Sequence, residues 1–173
     1  QVNDQLVVNG QLDFLDANAE VEVADTLRIG PAGEFSAVPG AVIHMTGSAF
    51  INESTDPAAL AGLTNLTLVF EGGAGVVDPF EVAGEDMGPV LAGFYENFAL
   101  GTLQLGGADV GRVRLGDIFD NQGDGALGNE ALYVTNLVLG AGSHLDLNGL
   151  NLYYLNGTTA GATIDTNGGS ITR

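Results

Sequence analysis

The sequence predicts an all-β chain, wound as a single parallel β-solenoid, and three observations predict it. Short leucine beats recur, as in Leu103-Gln104-Leu105, Leu137-Val138-Leu139 and Leu145-Asp146-Leu147. Period two puts both leucines of a beat on one face and the intervening residue on the other, as a half-buried strand requires. Glycine is abundant, 27 of 173 residues, and follows no triplet period, so it marks many turns rather than a collagen. The stretch Leu132–Gly157 repeats its phrase with almost no charge and no helical spacing.

A β-sandwich is the competing architecture. Asn9-Gly10, Asn148-Gly149, Asn156-Gly157 and Asn167-Gly168 are hairpin signals when they fall between strands. The coil is favoured because the strands are short and the phrase returns in the same leucine phase. Coils of roughly 18–25 residues would give about eight turns, spaced by about 4.8 Å.

Taken in order, Leu6-Val7-Val8 opens the strand rhythm. Four segments then align as Thr or Asn, Leu, any residue, Leu or Ile, and a glycine-rich turn. Their first leucines are Leu27, Leu66, Leu103 and Leu137, spaced by 39, 37 and 34 residues. Secondary beats lie at Ala41–Met45, Arg112–Leu115, Ala131–Val134, His144–Leu147 and Leu150–Leu155. Asn52–Leu63 predicts one short helix, with Thr55 or Asp56 as N-cap and Pro57 in its first turn. Asp78–Phe98 gathers two prolines with Phe80, Phe94, Tyr95 and Phe98, and reads as an irregular loop folded over an open side or end of the coil. No linker divides the chain, so residues 1–173 form one domain.

The charge balance narrows the partners. There are 22 acidic residues against Arg28, Arg112, Arg114 and Arg173, with no lysine, for a net charge of −18. Such a surface repels nucleic acid and anionic membranes and attracts cations. No apolar run is long enough for membrane insertion as a helix. No signal peptide is visible, and Gln1 is compatible with a mature N-terminus left after cleavage. Cysteine is absent, so no thiolate site or disulfide holds the fold.

Asn136–Gly157, with the preceding Asn129–Val134, resembles the leucine- and glycine-rich repeats of secreted bacterial β-helix proteins. It is similar to autotransporter-passenger repeats and to large exported proteins of planctomycete-like bacteria, most clearly over Leu100–Gly169. The resemblance implies an extracellular or cell-surface solenoid. It carries no catalytic motif.

The residues agree that no catalytic site is expected. His44 and His144 lie in strand-like runs and show no metal-ligand spacing. Glycine-rich Gly106–Gly111 and Gly123–Gly128 lack the Gly-Lys-Ser/Thr of a phosphate loop. Arg112 and Arg114 flank Val113 on one face and suit ion pairs better than a lyase base. The strongest site is Gly116–Glu130, where Asp117, Asp120, Asp124 and Glu130 offer carboxylates and Asn121, Gln122 and Asn129 add amide oxygens. Calcium takes six to eight hard oxygens, and it is the expected cofactor. The twelfth position counted from Asp120 is Ala131, so the loop departs from an EF-hand. Sequons fall at Asn52, Asn65 and Asn156.

The expected function is non-enzymatic and structural: an extracellular filament, sheath or matrix, as in a biofilm, grown by head-to-tail self-association. Leu6–Val8 of one copy would pair with Ile164–Ile171 of the next. A surface adhesin or glycan-binding module using Tyr153 or Tyr154 is the alternative, and a polysaccharide-cleaving β-helix stands third.

Overall fold

Each leucine beat forms a strand whose partner is the corresponding strand one coil away. The computed structural model describes residues 1–173 except Ser48, Glu96, Asp124 and Ala160. The first coil carries β1 (Leu6–Val8), β2 (Gln11–Phe14) and β3 (Glu20–Val23), and the second β4 (Leu27–Ile29), β5 (Glu34–Ala37) and β6 (Val42–Met45). The third has β7 (Phe50–Asn52) and β8 (Thr67–Phe70), and the fourth β9 (Asp78–Glu81), β10 (Gly84–Glu85) and β11 (Leu100–Leu105). Then come β12 (Arg112–Gly116) with β13 (Glu130–Leu139), β14 (His144–Asp146) with β15 (Asn151–Thr158), and β16 (Thr163–Asp165) with β17 (Ile171–Thr172).

One parallel sheet runs β1-β4-β7-β9-β12-β14-β16. The facing sheet runs β3-β6-β8-β11-β13-β15-β17, with β10 added antiparallel to β13. A third face begins as β2 paired with β5. The architecture is the β-solenoid, not the sandwich, because antiparallel pairing is confined to β10 with β13 among the described residues.

Stacked apolar rows fill the space between the sheets. Ile43, Leu68, Leu103 and Leu137 form one row, and Met45, Phe70, Leu105 and Leu139 the next. Opposite them Leu6, Leu27, Phe50, Phe80 and Leu115 succeed one another. Phe50 and Phe80 stack at 4.7 Å between ring centroids. The expected inward leucines, Leu103, Leu105, Leu137, Leu139, Leu145 and Leu147, are all buried.

The coil length is even only near the ends. Leu6 faces Leu27, a step of 21 residues, and Leu145 faces Ile164, a step of 19. Between Asp78 and Val113 the step is 35, because the chain leaves the coil at corners and returns in register. These insertions correct the expected repeat. Leu103 and Leu137 are true ladder partners, but Leu68 rather than Leu66 stands beside Leu103, and Leu27 belongs to the other sheet. The count is seven coils among the described residues instead of eight.

The expected helix over Asn52–Leu63 is also corrected. Asp56 Oδ1 accepts from the N–H of Ala58 at 2.9 Å, as a capping residue does, but the chain makes turns and then a 3-10 helix, Ala61–Asn65. No α-helix occurs among the described residues. This segment takes the place of a third-face strand against β5. A Cβ on Gly62 would lie 2.4 Å from Phe35 O, so a larger residue would push it off.

Asp78–Phe98 is only partly irregular. It supplies β9, β10 and a second 3-10 helix, Leu91–Phe94, and its later part covers the outer face of the second sheet. There Phe94 meets Tyr133 edge-on at 5.2 Å, and Tyr133 stacks on Tyr153 at 4.9 Å. Tyr133 Oη accepts from the Met87 N–H and donates to Gly88 O, while Tyr153 Oη donates to Asp86 Oδ1. Burial, then the Asp86 hydrogen bond, pushes the Tyr153 phenol up to about 12. Tyr153 is therefore a packing residue, not the exposed sugar platform expected of it. Of the Asn-Gly pairs, Asn148 and Asn167 turn corners with φ of 51°, whereas Asn156-Gly157 lies inside β15. Among the sequons, Asn52 is buried, while Asn65 and Asn156 are exposed.

Leu137→Ala should destabilise the protein by about 2–5 kcal/mol through lost burial and a cavity, read as a lowered urea midpoint at unchanged slope. Leu15→Ala, at a position 80% exposed, should shift it little. Equal effects would contradict the inward row.

Candidate metal centre

The end of the first sheet's strands is a corner, where chain leaving the coil collects polar groups. β9 ends in Glu81, β12 is followed by Asp117, and β13 begins at Glu130. β9 and β12 are adjacent in register, with Glu81 beside Gly116, so Glu81 and Asp117 meet although 36 residues separate them. The insertion from Asp117 onwards returns the chain to Glu130 at the same place. One oxygen from each of Glu81, Asp117 and Glu130 lies within 4.8 Å of the other two. Glu81 and Glu130 are buried, at 3% and 2% exposure.

Backbone N–H groups hold each carboxylate in place. Glu81 Oε1 accepts from Ile118 at 2.6 Å and Phe119 at 2.7 Å. Glu130 Oε1 accepts from Asn121 at 2.8 Å, and Asp117 Oδ2 accepts from Gly128. Glu130 Oε2 and Asp117 Oδ1 are buried and receive no hydrogen bond. The basic side chains paired among the described residues lie elsewhere: Arg28 meets Glu53 and Arg114 meets Asp146, while the His44 and His144 rings hydrogen-bond Glu71 and Asp165.

Three like charges therefore converge in a site that is largely shielded from water. Burial pushes the Glu81 carboxyl up to about 7, against the N–H groups of Phe119 and Ile118. Burial, with the nearby Asp117 charge second, pushes Glu130 up to about 8. Either protons or a cation must offset this repulsion. The donors are all hard oxygens, so the triad could hold a metal ion.

The expected site residues divide. Asp117 and Glu130 join the triad. Asp120 does not, and its Oδ2 instead accepts from the Gly125 N–H at 2.8 Å within the insertion. Asp124 lies outside the described residues. Glu81 was missed because it belongs to a strand in the previous coil, far along the chain. Its signal is a carboxylate set directly between Phe80 and Val82-Ala83, where alternation leaves little room for a solvated charge.

No protein-family model, curated protein or solved structure matches this chain. The parallel sheets agree with the solenoid that the repeats resemble, and they carry no family identity with them.

A chelated sample should lose stability as pH rises from 5 to 8. Glu81 and Glu130 hold protons more tightly when folded than at the ordinary 4.5 of the open chain, so the folded state binds more protons across that interval. Their contribution is complete below pH 4.5 and lost as pH passes about 7 and 8. Urea midpoints at the two pH values check this, and Glu130→Gln should flatten the slope. A midpoint rising with pH would contradict it.

Proposed function

We propose that this chain is a non-enzymatic structural solenoid, extracellular or on the cell surface, whose copies stack head to tail into a filament, sheath or matrix. The outermost rungs carry this reading. Among the described residues β1 pairs with β4 alone, β16 with β14 alone and β17 with β15 alone. Their free sides present backbone donors and acceptors to a further strand. The apolar rows continue to these edges: Leu6 at one, and Ile164 and Ile171 at the other, pack on the core yet stay half-exposed. A contact joining two different ends propagates instead of closing as a dimer.

Charge opposes the approach, at −18 per copy. Salt shortens that repulsion to about 8–10 Å. Calcium is the ion this reading gives the acidic triad, whose donors are carboxylate oxygens without thiolate or imidazole. The clustered arginines support a structural role. Arg112 donates to Ala74 O at 2.8 Å, and Arg114 donates to Asn148 Oδ1 at 2.7 Å.

A glycan-binding module is the second reading, and Tyr95 now favours it in place of Tyr153. Tyr95 is 69% exposed beside a groove of about 230 Å³ lined also by Leu60, Thr64, Phe94, Asn97 and Phe98. A saccharide stacked there should shift tyrosine fluorescence, and Tyr95→Ala should abolish the shift.

Electron microscopy and sedimentation in salt and calcium should show chain growth of the native protein. Thr163 N–H donates inward to Ser143 O, just before β14, and Asp165 O accepts from the Leu147 N–H, just after it, so parallel alternation turns the Ile164 N–H outward. Ile164→Pro removes that donor and should leave a folded protein that does not elongate. A native chain that stays monomeric at high concentration with salt and calcium would sink the assembly, and the glycan reading would lead.

A further inference from the structure

One buried side chain at the acidic corner is unexplained by the triad. Asn121 is 2% exposed. Its Nδ2 donates to Asn52 O at 3.0 Å and to Ser54 O at 2.8 Å. Both partners are carbonyls and can only accept, which fixes the orientation of the amide. Oδ1 must point away from them, and it is buried without a hydrogen bond. The backbone N–H of Asn121 goes to Glu130 Oε1, which places the residue beside the triad. Together with Glu130 Oε2 and Asp117 Oδ1, this makes three buried oxygens that receive no donor.

A buried acceptor without a donor carries its full desolvation cost. Three of them belong to Asp117, Asn121 and Glu130, residues joined at one acidic corner by the Asn121 N–H bond to Glu130, and a positive centre is their common solution. We infer that Asn121 Oδ1 is a fourth protein ligand of a calcium-class cation held by Glu81, Asp117 and Glu130. This rests on the cation reading of the triad and adds a neutral ligand that the acidic cluster alone does not supply.

Size and coordination favour the calcium class. Calcium takes six to eight oxygens at about 2.3–2.6 Å in a flexible geometry, so carboxylate and amide oxygens at mixed separations suit it. The triad oxygens fall within 4.8 Å of one another. Magnesium, at about 2.0–2.1 Å, needs a tighter octahedron and keeps most of its water. A ligand from Asn121 also makes the ion bridge coils. Through it the corner at Asn52–Ser54 is tied to Glu81, to Asp117 and to the start of β13.

Calorimetry on the chelated full chain, titrated with calcium, is the first measurement. Terbium luminescence lifetimes in light and heavy water then count the waters on the ion. Native protein should bind calcium, and Glu130→Gln should abolish binding. Asn121→Ala should bind about tenfold to a hundredfold more weakly and add one water to bound terbium. A native crystal soaked in calcium keeps the question open to measurement where Asn121→Ala fails to fold, and should place the ion about 2.3–2.6 Å from Asn121 Oδ1. Native affinity and water count in a folded Asn121→Ala, or an ion ligated by the carboxylates alone, would overturn the role of Asn121 and leave the triad's cation standing. No calcium binding by the native chain would overturn both.

Discussion

In-register return is the constraint on which the molecule depends. A strand pairs with the next coil only if the chain comes back to the same place one strand spacing further on, about 4.8 Å. Within a strand, one extra residue would turn every apolar side chain to the wrong face. Extra chain can therefore enter only at corners. That is where the middle coils lengthen, and it is why the polar centre sits at a corner instead of between the sheets. The stacked rows from Ile43 to Leu137 and from Leu6 to Leu115 are the same constraint seen in side chains.

The acidic composition divides into two physical situations. On the surface, carboxylates meet water or pair with scarce basic groups, as Asp146 does with Arg114. Exposed pairs of this kind contribute little to stability. At the corner, Glu81 and Glu130 are shielded from water and converge with Asp117. Their backbone hydrogen bonds position them but do not neutralise them. The structure keeps this unfavourable arrangement where two insertions and three coils converge, a place where carboxylate oxygens could hold an ion.

Much of this was legible in the chain itself. The beats around Leu103, Leu137 and Leu145 announce strands because both leucines of each share a face, and the same phase recurs one coil later. Leu66 misled because Leu66 and Leu68 form an overlapping beat, and only the register shows which of them faces Leu103. Two of the three carboxylates of the acidic centre, Asp117 and Glu130, were visible as a local cluster. Glu81 was not, since proximity across coils depends on insertion lengths that no short window contains. The burial of Tyr153 was hidden for the same reason: its cover, Phe94 and Asp86, comes from an insertion about sixty residues away and nothing near Tyr153 announces it.

A solenoid of nearest-neighbour coils would behave as a chain of independent links, able to melt from either end one coil at a time. This one does not consist of such links throughout. Asp86, in the fourth coil, reaches past the fifth to bind Tyr153 and Asn151 in the sixth. Asn121, in the fifth, reaches past the fourth to Asn52 and Ser54 in the third. Contacts that skip a coil couple links that would otherwise open separately. Coils three to six should thus open as one cooperative block, while the coils on either side lack such ties among the described residues. Amide exchange would register that as a plateau of slow protons across the middle of the molecule, falling away towards both edges.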